Sequence, residues 1–110
     1  MKIDFNGIEA KVEKNFKGGE REVLIKAFSD GAVKIMQITV PKGATIGMHK
    51  HIGNSEEIFL ISGRGFFITD GIREEAIAGQ AFYCPSGSSH TFVNEADGDS
   101  VLFAVVPERN

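Results

Sequence analysis

Apolar residues in this chain fall in short segments, several alternating with polar ones, and turn-forming residues separate them. The pattern predicts strands at Glu22–Phe28, Val33–Val40, Ile46–His49, Glu56–Ser62, Gly65–Thr69, Arg73–Ile77, Ala81–Cys84, Ser89–Val93 and Ser100–Val106. Between them stand Ser29-Asp-Gly31, Pro41-Lys-Gly43, Asp70-Gly71, Ala78-Gly79, Pro85-Ser-Gly87 and Ala96-Asp-Gly98, where Gly, Pro, Asp and Ser supply turn geometry. Short strands at intervals of about 8–12 residues predict an all-β sandwich or barrel. Asp70-Gly71 is the sharpest hairpin signal, because a two-residue type I′ turn needs positive φ at both central residues. One segment reads two ways. In Glu20–Phe28, Val23, Leu24, Ala27 and Phe28 also fit one helical face; its shortness and its strand neighbours favour a strand.

Ile58-Phe-Leu-Ile61 and Phe66-Phe-Ile68 are apolar at both parities. A strand with one wet face would alternate instead, so both faces of these strands are expected to be covered. One cover is the barrel interior. The other is expected to be the N-terminal segment or a partner subunit, which makes a homodimer the expected assembly.

Length and composition narrow the class. A chain of 110 residues is expected to be a single domain over 1–110, able to build a core without a disulfide or metal staple. One Cys forbids an intrachain disulfide and suits a reducing, cytoplasmic location. The longest apolar run, Val101–Val106, falls far short of the ~18 residues a membrane helix needs. Met1-Lys-Ile-Asp-Phe-Asn-Gly7 lacks the apolar core of a secretory signal. The net charge of −3 offers no field for nucleic-acid phosphates. The expectation is a soluble domain whose partner is a small molecule, with no nucleic acid and no membrane.

The chemistry concentrates on three histidines and a carboxylate. In Met48-His-Lys-His51, alternation turns His49 and His51 to one face and Lys50 to the other. Ile52-Gly-Asn-Ser55 reads as a turn that can fold Glu56 back beside them, and His90 opens a later strand. Three imidazoles and a carboxylate converging from three strands suit a divalent cation. Taken singly, each has a plain alternative: a solvated histidine pair, a capping His90, an acidic strand start.

Their spacing joins them. Gly43-Ala-Thr-Ile-Gly-Met-His49-Lys-His51-Ile-Gly-Asn-Ser-Glu56-Glu-Ile-Phe-Leu-Ile-Ser-Gly63 resembles the first cupin motif. Gly79-Gln-Ala-Phe-Tyr-Cys-Pro85-Ser-Gly87-Ser-Ser-His90-Thr-Phe-Val-Asn94 resembles the second. The resemblance implies a cupin-type jelly-roll barrel of two antiparallel sheets, with metal ligands at His49, His51, Glu56 and His90. It also implies turn roles for Gly43, Gly63, Gly79 and Gly87, and Asn94 is expected to hold a turn.

Such a site would take one divalent transition-metal ion, and Fe, Mn, Ni, Zn and Co all accept this donor set. Parity with Glu56 points Ile58, Leu60 and Ser62 inward, and parity with His90 does so for Phe92; Phe92 and Met48 read as core. Candidate polar neighbours are Tyr83, Cys84, Gln37, Arg64, Ser86 and Ser88, and no basic cluster beside the ligands is visible. Tyr83 is the candidate general acid, although a lone Tyr more commonly packs with its hydroxyl bonded. Two functions remain open, and the first is the preferred expectation. One is a metal-dependent enzyme (oxygenase, isomerase, decarboxylase or lyase) acting on an anionic or enolisable molecule, which the complete ligand set favours. The other is a metal-dependent binding or sensing module, which the scarcity of acid/base residues favours.

Overall fold

The structure, a computed structural model, describes residues 1–108. Its strands are β1 (Lys11–Lys14), β2 (Glu22–Ser29), β3 (Val33–Val40), β4 (Thr45–Lys50), β5 (Glu56–Ser62), β6 (Arg64–Thr69), β7 (Ile72–Ile77), β8 (Ala81–Cys84), β9 (Ser89–Asn94) and β10 (Ser100–Pro107). The nine expected strands are all present, with ends within one residue of expectation. The ambiguous segment is β2, whose burial alternates and turns Val23 and Ile25 inward. Strand β1 was not expected. All four of its residues are exposed, so Lys-Val-Glu-Lys carries no apolar signature, and its charges suit a sheet edge.

The strands form two antiparallel sheets, ordered β1-β2-β3-β10-β5-β8 and β4-β9-β6-β7, in the jelly-roll arrangement. Their facing sides enclose one core, in which Ile38, Val40, Leu60 and Leu102 meet Ile46, Phe67 and Phe92. Hairpin β6–β7 turns at Asp70 (φ 49°) and Gly71 (φ 82°), as a type I′ turn requires.

The outer face of the larger sheet is covered in part by the N-terminal segment. Phe5 tilts over Phe103 at 5.7 Å between ring centres, and Lys26 Nζ donates to the Phe5 carbonyl at 3.1 Å. Phe59 and Ile61 on that face stay nearly half exposed. The expectation that Ser62 points inward is corrected. Opposite Ser62 and Leu60 stand consecutive residues Val101 and Leu102, so Ile61 is an extra residue in β5. This bulge breaks the alternation and leaves both Ile61 and Ser62 exposed.

Asn94 closes the end of the barrel away from the histidines' turn. Its Nδ2 donates to the carbonyls of Val40, Pro41 and Gly98, and its Oδ1 accepts from Ala96 N and Ser100 Oγ. Its role is to hold turns, as the sequence suggested.

Candidate metal centre

A bulge and a backbone tie aim the histidines. In the β4–β9 pairing, Ile46 faces Phe92 and His49 faces His90. Three steps along β4 therefore match two along β9, and the bulge falls at Gly47-Met48. Without it, strict alternation would point His49 away from the side that Ile46 occupies. The bulge turns Met48 out to 51% exposure, which corrects its reading as a core residue. Beyond β4, the chain is tied to the turn ahead of β9. His51 N donates to Ser88 O at 2.9 Å, and Gly87 N donates to His51 O at 2.6 Å. Asp70 reinforces that turn by accepting Ser89 N at 2.9 Å.

Glu56 opens β5 opposite Cys84 and points inward with Ile58 and Leu60. Its Oε1 lies 2.9 Å from His90 Nε2, 3.2 Å from His51 Nε2 and 4.0 Å from His49 Nε2. The His90 Nε2 atom stands 3.1 Å from that of His51 and 3.2 Å from that of His49. One donor atom from each of the four residues falls within 4.8 Å of the others. The outer nitrogens of two rings are engaged: His49 Nδ1 with Gly47 O at 2.8 Å and His51 Nδ1 with Asn54 Oδ1 at 2.9 Å. Since a carbonyl only accepts, His49 carries its proton on Nδ1 and turns an Nε2 lone pair toward the centre. His51 donates from Nδ1 to the Asn54 carbonyl oxygen in the same way, so its Nε2 offers a lone pair to a cation when the ring is neutral and a proton to Glu56 when the ring is charged. Several lone pairs facing one point, beside a carboxylate, is the donor chemistry that a shared divalent cation satisfies.

Electrostatics follow from this crowding. Burial works to raise the Glu56 carboxyl, but hydrogen bonds from His51 and His90 and the charges of those rings outweigh it and hold it at about 2. The Glu56 hydrogen bond raises His51 against its own desolvation, whereas burial lowers His49.

The four residues sit at one end of a cavity of about 400 Å³. Its walls include Met36, Ile38 and Ile58 from one sheet and Ile46, Phe67 and Phe92 from the other. None of Tyr83, Cys84, Gln37, Arg64, Ser86 or Ser88 lines it. Tyr83 pairs with Glu57 on the outer face and is 62% exposed, because β8 turns Cys84 inward and alternation sends Tyr83 out. Gln37 is turned outward in the same way by the inward Met36 and Ile38. Burial and the nearby Glu56 carboxylate push the Cys84 thiol up to about 11, so it is an inert buried group.

The polar groups that do line the cavity include Asn54, Thr91, Glu108 and three lysines, Lys17, Lys34 and Lys50. No basic cluster is visible in the sequence because these lysines come from three separate elements. Asn54 was visible only as a turn residue. Its position three residues after His51 is the signal that could have singled it out, since an Asx side chain there can reach back to the ring.

Comparison with known proteins agrees with this geometry. Residues 36–106 match the cupin domain family. The chain is 30% identical over 98 residues to an oxalate-binding protein of Thermotoga maritima, covering 84% of this chain and 81% of that one. The crystal structure of a predicted oxalate decarboxylase from Thermotoga maritima superposes with a TM-score of 0.92 at 26% identity, over 97% of this chain and 98% of that one. A polyketide cyclase from Streptomyces resistomycificus shares the fold at a TM-score of 0.75 and 16% identity, over 99% of this chain and 80% of that one. With both its sequence motifs and its barrel accounted for in this way, the chain belongs to the cupin family.

Proposed function

We propose that this cupin holds one divalent transition-metal ion on the Nε2 atoms of His49, His51 and His90 and on the Glu56 carboxylate, and binds a small carboxylate there. The observation that supports it most is the convergence of those four donors within 4.8 Å in the cavity. Three neutral imidazoles and one carboxylate would leave a formal charge near +1, which favours an anion. A metal so held acts as a Lewis acid with positions left for a ligand's oxygens. The chain supplies the rest. Asn54 and the Gly47 carbonyl orient two rings, and Ile46, Ile58, Phe67 and Phe92 supply apolar walls to the cavity. The two Thermotoga maritima relatives are named for oxalate, which agrees with a carboxylate ligand.

Binding without turnover is the reading the geometry favours. Among the described residues, the inner cavity holds no acid or base beyond the four donors; the remaining ionisable groups, Lys17, Lys34, Lys50 and Glu108, carry side chains that are not fully buried. Turnover by a decarboxylase or related enzyme is the second reading, supported by the ligand positions that four protein donors leave open. Calorimetric titration of oxalate into Mn²⁺-loaded and metal-free protein, with assay for carbon dioxide and formate, separates them. Saturable, metal-dependent binding without product is expected. Product formation would install the enzyme reading, and no binding in either state would overturn both.

The proposal extends to assembly and location. The outer face carries Phe59, Ile61 and Tyr83, all 45% exposed or more, beside a buried Glu57 Oε2 that has no hydrogen-bond partner among the described residues. A second copy seated on this face would cover them, so a homodimer is expected by light scattering at micromolar concentration; a monomer would contradict it. The single thiol, buried at Cys84, suits the cytoplasm.

A further inference from the structure

We propose that Lys17 and Lys34 flank the His/Glu centre and complete one anion site with it, so that the ligand is a compact dianion: one carboxylate on the metal and a second, on the adjoining carbon, held by the two lysines. This inference rests on the carboxylate-binding reading above and deepens it, naming the class of ligand and two residues that select it.

Strand register places Lys34. On the larger sheet Lys34 faces Val106. The pairing that sets Val105 against Glu57 and Ala104 against Ile58 brings Val106 level with Glu56. Lys34, Val106 and Glu56 therefore form one inward row, in which Lys34 and Glu56 stand two strand spacings apart, about 10 Å of backbone. Lys34 shares its parity with the inward Met36 and Ile38 and is half-buried. Met36 and Ile58 occupy the next row down, and on the smaller sheet Ile46, Phe67 and Phe92 do the same below His49 and His90. That floor is apolar and offers a ligand's oxygens no partner.

Lys17 approaches the donors from the smaller sheet. It lies on a 3₁₀ turn (Phe16–Gly18) within a strap from Asn15 to Arg21 that is seated against β4. A Cβ on Gly47 would collide with the Lys17 carbonyl, and one on Gly19 with the Thr45 carbonyl, so the strap touches the strand two residues ahead of His49. Asn15 N donates to Arg21 O at 2.7 Å, and Thr45 N to Glu20 O at 3.1 Å. Lys17 itself has φ 56°, a conformation that a non-glycine residue keeps where its surroundings fix it. Its ammonium stands 5.5 Å from the centre of the Phe16 ring, which shares the lining. Its charge is felt at the donors: the Glu56 hydrogen bond raises His51, and the Lys17 ammonium is among the effects that oppose it.

Charge argues for two negative groups. Neither lysine takes part in an ion pair among the described residues. Lys50, the third cation of the lining, lies near Asp70, whose carboxyl is lowered by hydrogen bonds at Ser88 and Ser89 and also by that charge. A divalent cation balanced by Glu56 leaves one positive charge, Lys17 and Lys34 add two, and Glu108 removes one, so the lining ends about two charges positive with Lys50 set aside. A monoanion on the metal leaves one of these charges unmatched, whereas a dianion matches both. Because the lysines stand beside the donors, the two acid groups of the ligand adjoin each other.

The test compares two acids of one shape. Calorimetry on the Mn²⁺-loaded full chain, freed of unbound metal, would measure oxalate against oxamate, in which a carboxamide replaces one carboxylate. Oxalate should bind the wild type more tightly. The metal accounts for part of that preference, so the decisive quantity is how far the lysines change it. Lys17→Gln combined with Lys34→Gln should shrink the oxalate-over-oxamate ratio about five- to tenfold, the scale of two partly exposed ion pairs. Lys17→Arg combined with Lys34→Arg should keep it within about twofold. Mn²⁺ affinity without acid should hold or rise in the Gln variant, because two cations beside the metal are removed; a fall would contradict their placement. Equal affinity for the two acids in the wild type, a ratio unchanged in the Gln variant, or one that falls as far in the Arg variant would overturn this inference and leave carboxylate binding standing. If neither acid binds the wild type, both fall.

Discussion

Asn54 does for His51 what the Gly47 carbonyl does for His49: each accepts a hydrogen bond from Nδ1 and so turns Nε2 toward Glu56. Partners of this kind set the ring's tautomer and orientation, and losing one typically costs about 10–100-fold in metal affinity. Asn54→Ala should therefore weaken Mn²⁺ or Zn²⁺ binding by that factor, measured by competition with a chromophoric chelator, with the melting temperature of the metal-free protein nearly unchanged. Proton competition belongs to the same residues. A metal takes neutral imidazole, and Glu56 holds the His51 pKa above its usual 6.5. Protons thus begin to compete at His51 as the pH falls through that raised value, so apparent metal affinity should decline on acidification starting above pH 6.5 rather than below it. Equilibrium dialysis across pH 5–8 checks the sign; constant affinity over that window would contradict it. The four donors were legible in the chain because local spacing defines them: His-Lys-His on one strand, Glu56 after a short turn, His90 after Pro85-Ser-Gly. The lysines of the cavity lining were not, since only the closed barrel brings residues 17, 34 and 50 to one cavity.

At the scale of the element, alternation explains most of what the chain shows and the bulges explain the rest. Hydrophobic parity located the strands and set the faces of β2, β3, β9 and β10. Parity is blind to an extra residue, so the bulge at Gly47-Met48 that aims His49, and the one at Ile61 that turns Ser62 outward, had no signature in the pattern. The strap from Asn15 to Arg21 carries only the Gly18-Gly19 pair as a turn signal, which does not show where the strap docks. Of its positive φ angles only Gly18's falls on a glycine; those at Asn15, Lys17 and Arg21 fall on residues that rarely mark one. The glycines that matter to it are Gly19 and Gly47, which let two backbones meet. Gly47→Ala should push the strap off β4 and cost about 1–3 kcal/mol, as overpacking does. Chemical denaturation would show a lower midpoint, and amide exchange should accelerate across residues 15–21. An unchanged midpoint would mean that the strap is not held by this contact.

For the whole molecule, the two sheets bury a contiguous apolar core that does not involve the four donors. Metal should thus add stability by mass action instead of supplying the fold. At a free concentration a hundred times its Kd it should add about 2.7 kcal/mol, and a chelator should lower the melting temperature while leaving a cooperative transition. A metal-free chain that is unfolded would contradict that view. The central claim is that Glu56, not its neighbour, completes a metal centre with three histidines. Glu56 points inward to within 2.9 Å of His90, whereas Glu57 pairs with Tyr83 and Val105 on the outer face. Elemental analysis of metal-to-protein ratio, made side by side on the wild type, Glu56→Gln and Glu57→Gln after equal exposure to metal, tests this most directly. The account predicts about one metal per chain for the wild type and Glu57→Gln, and a large loss for Glu56→Gln, whose amide keeps the shape and removes the charge. Full metal content in Glu56→Gln, or its loss in Glu57→Gln alone, would contradict it.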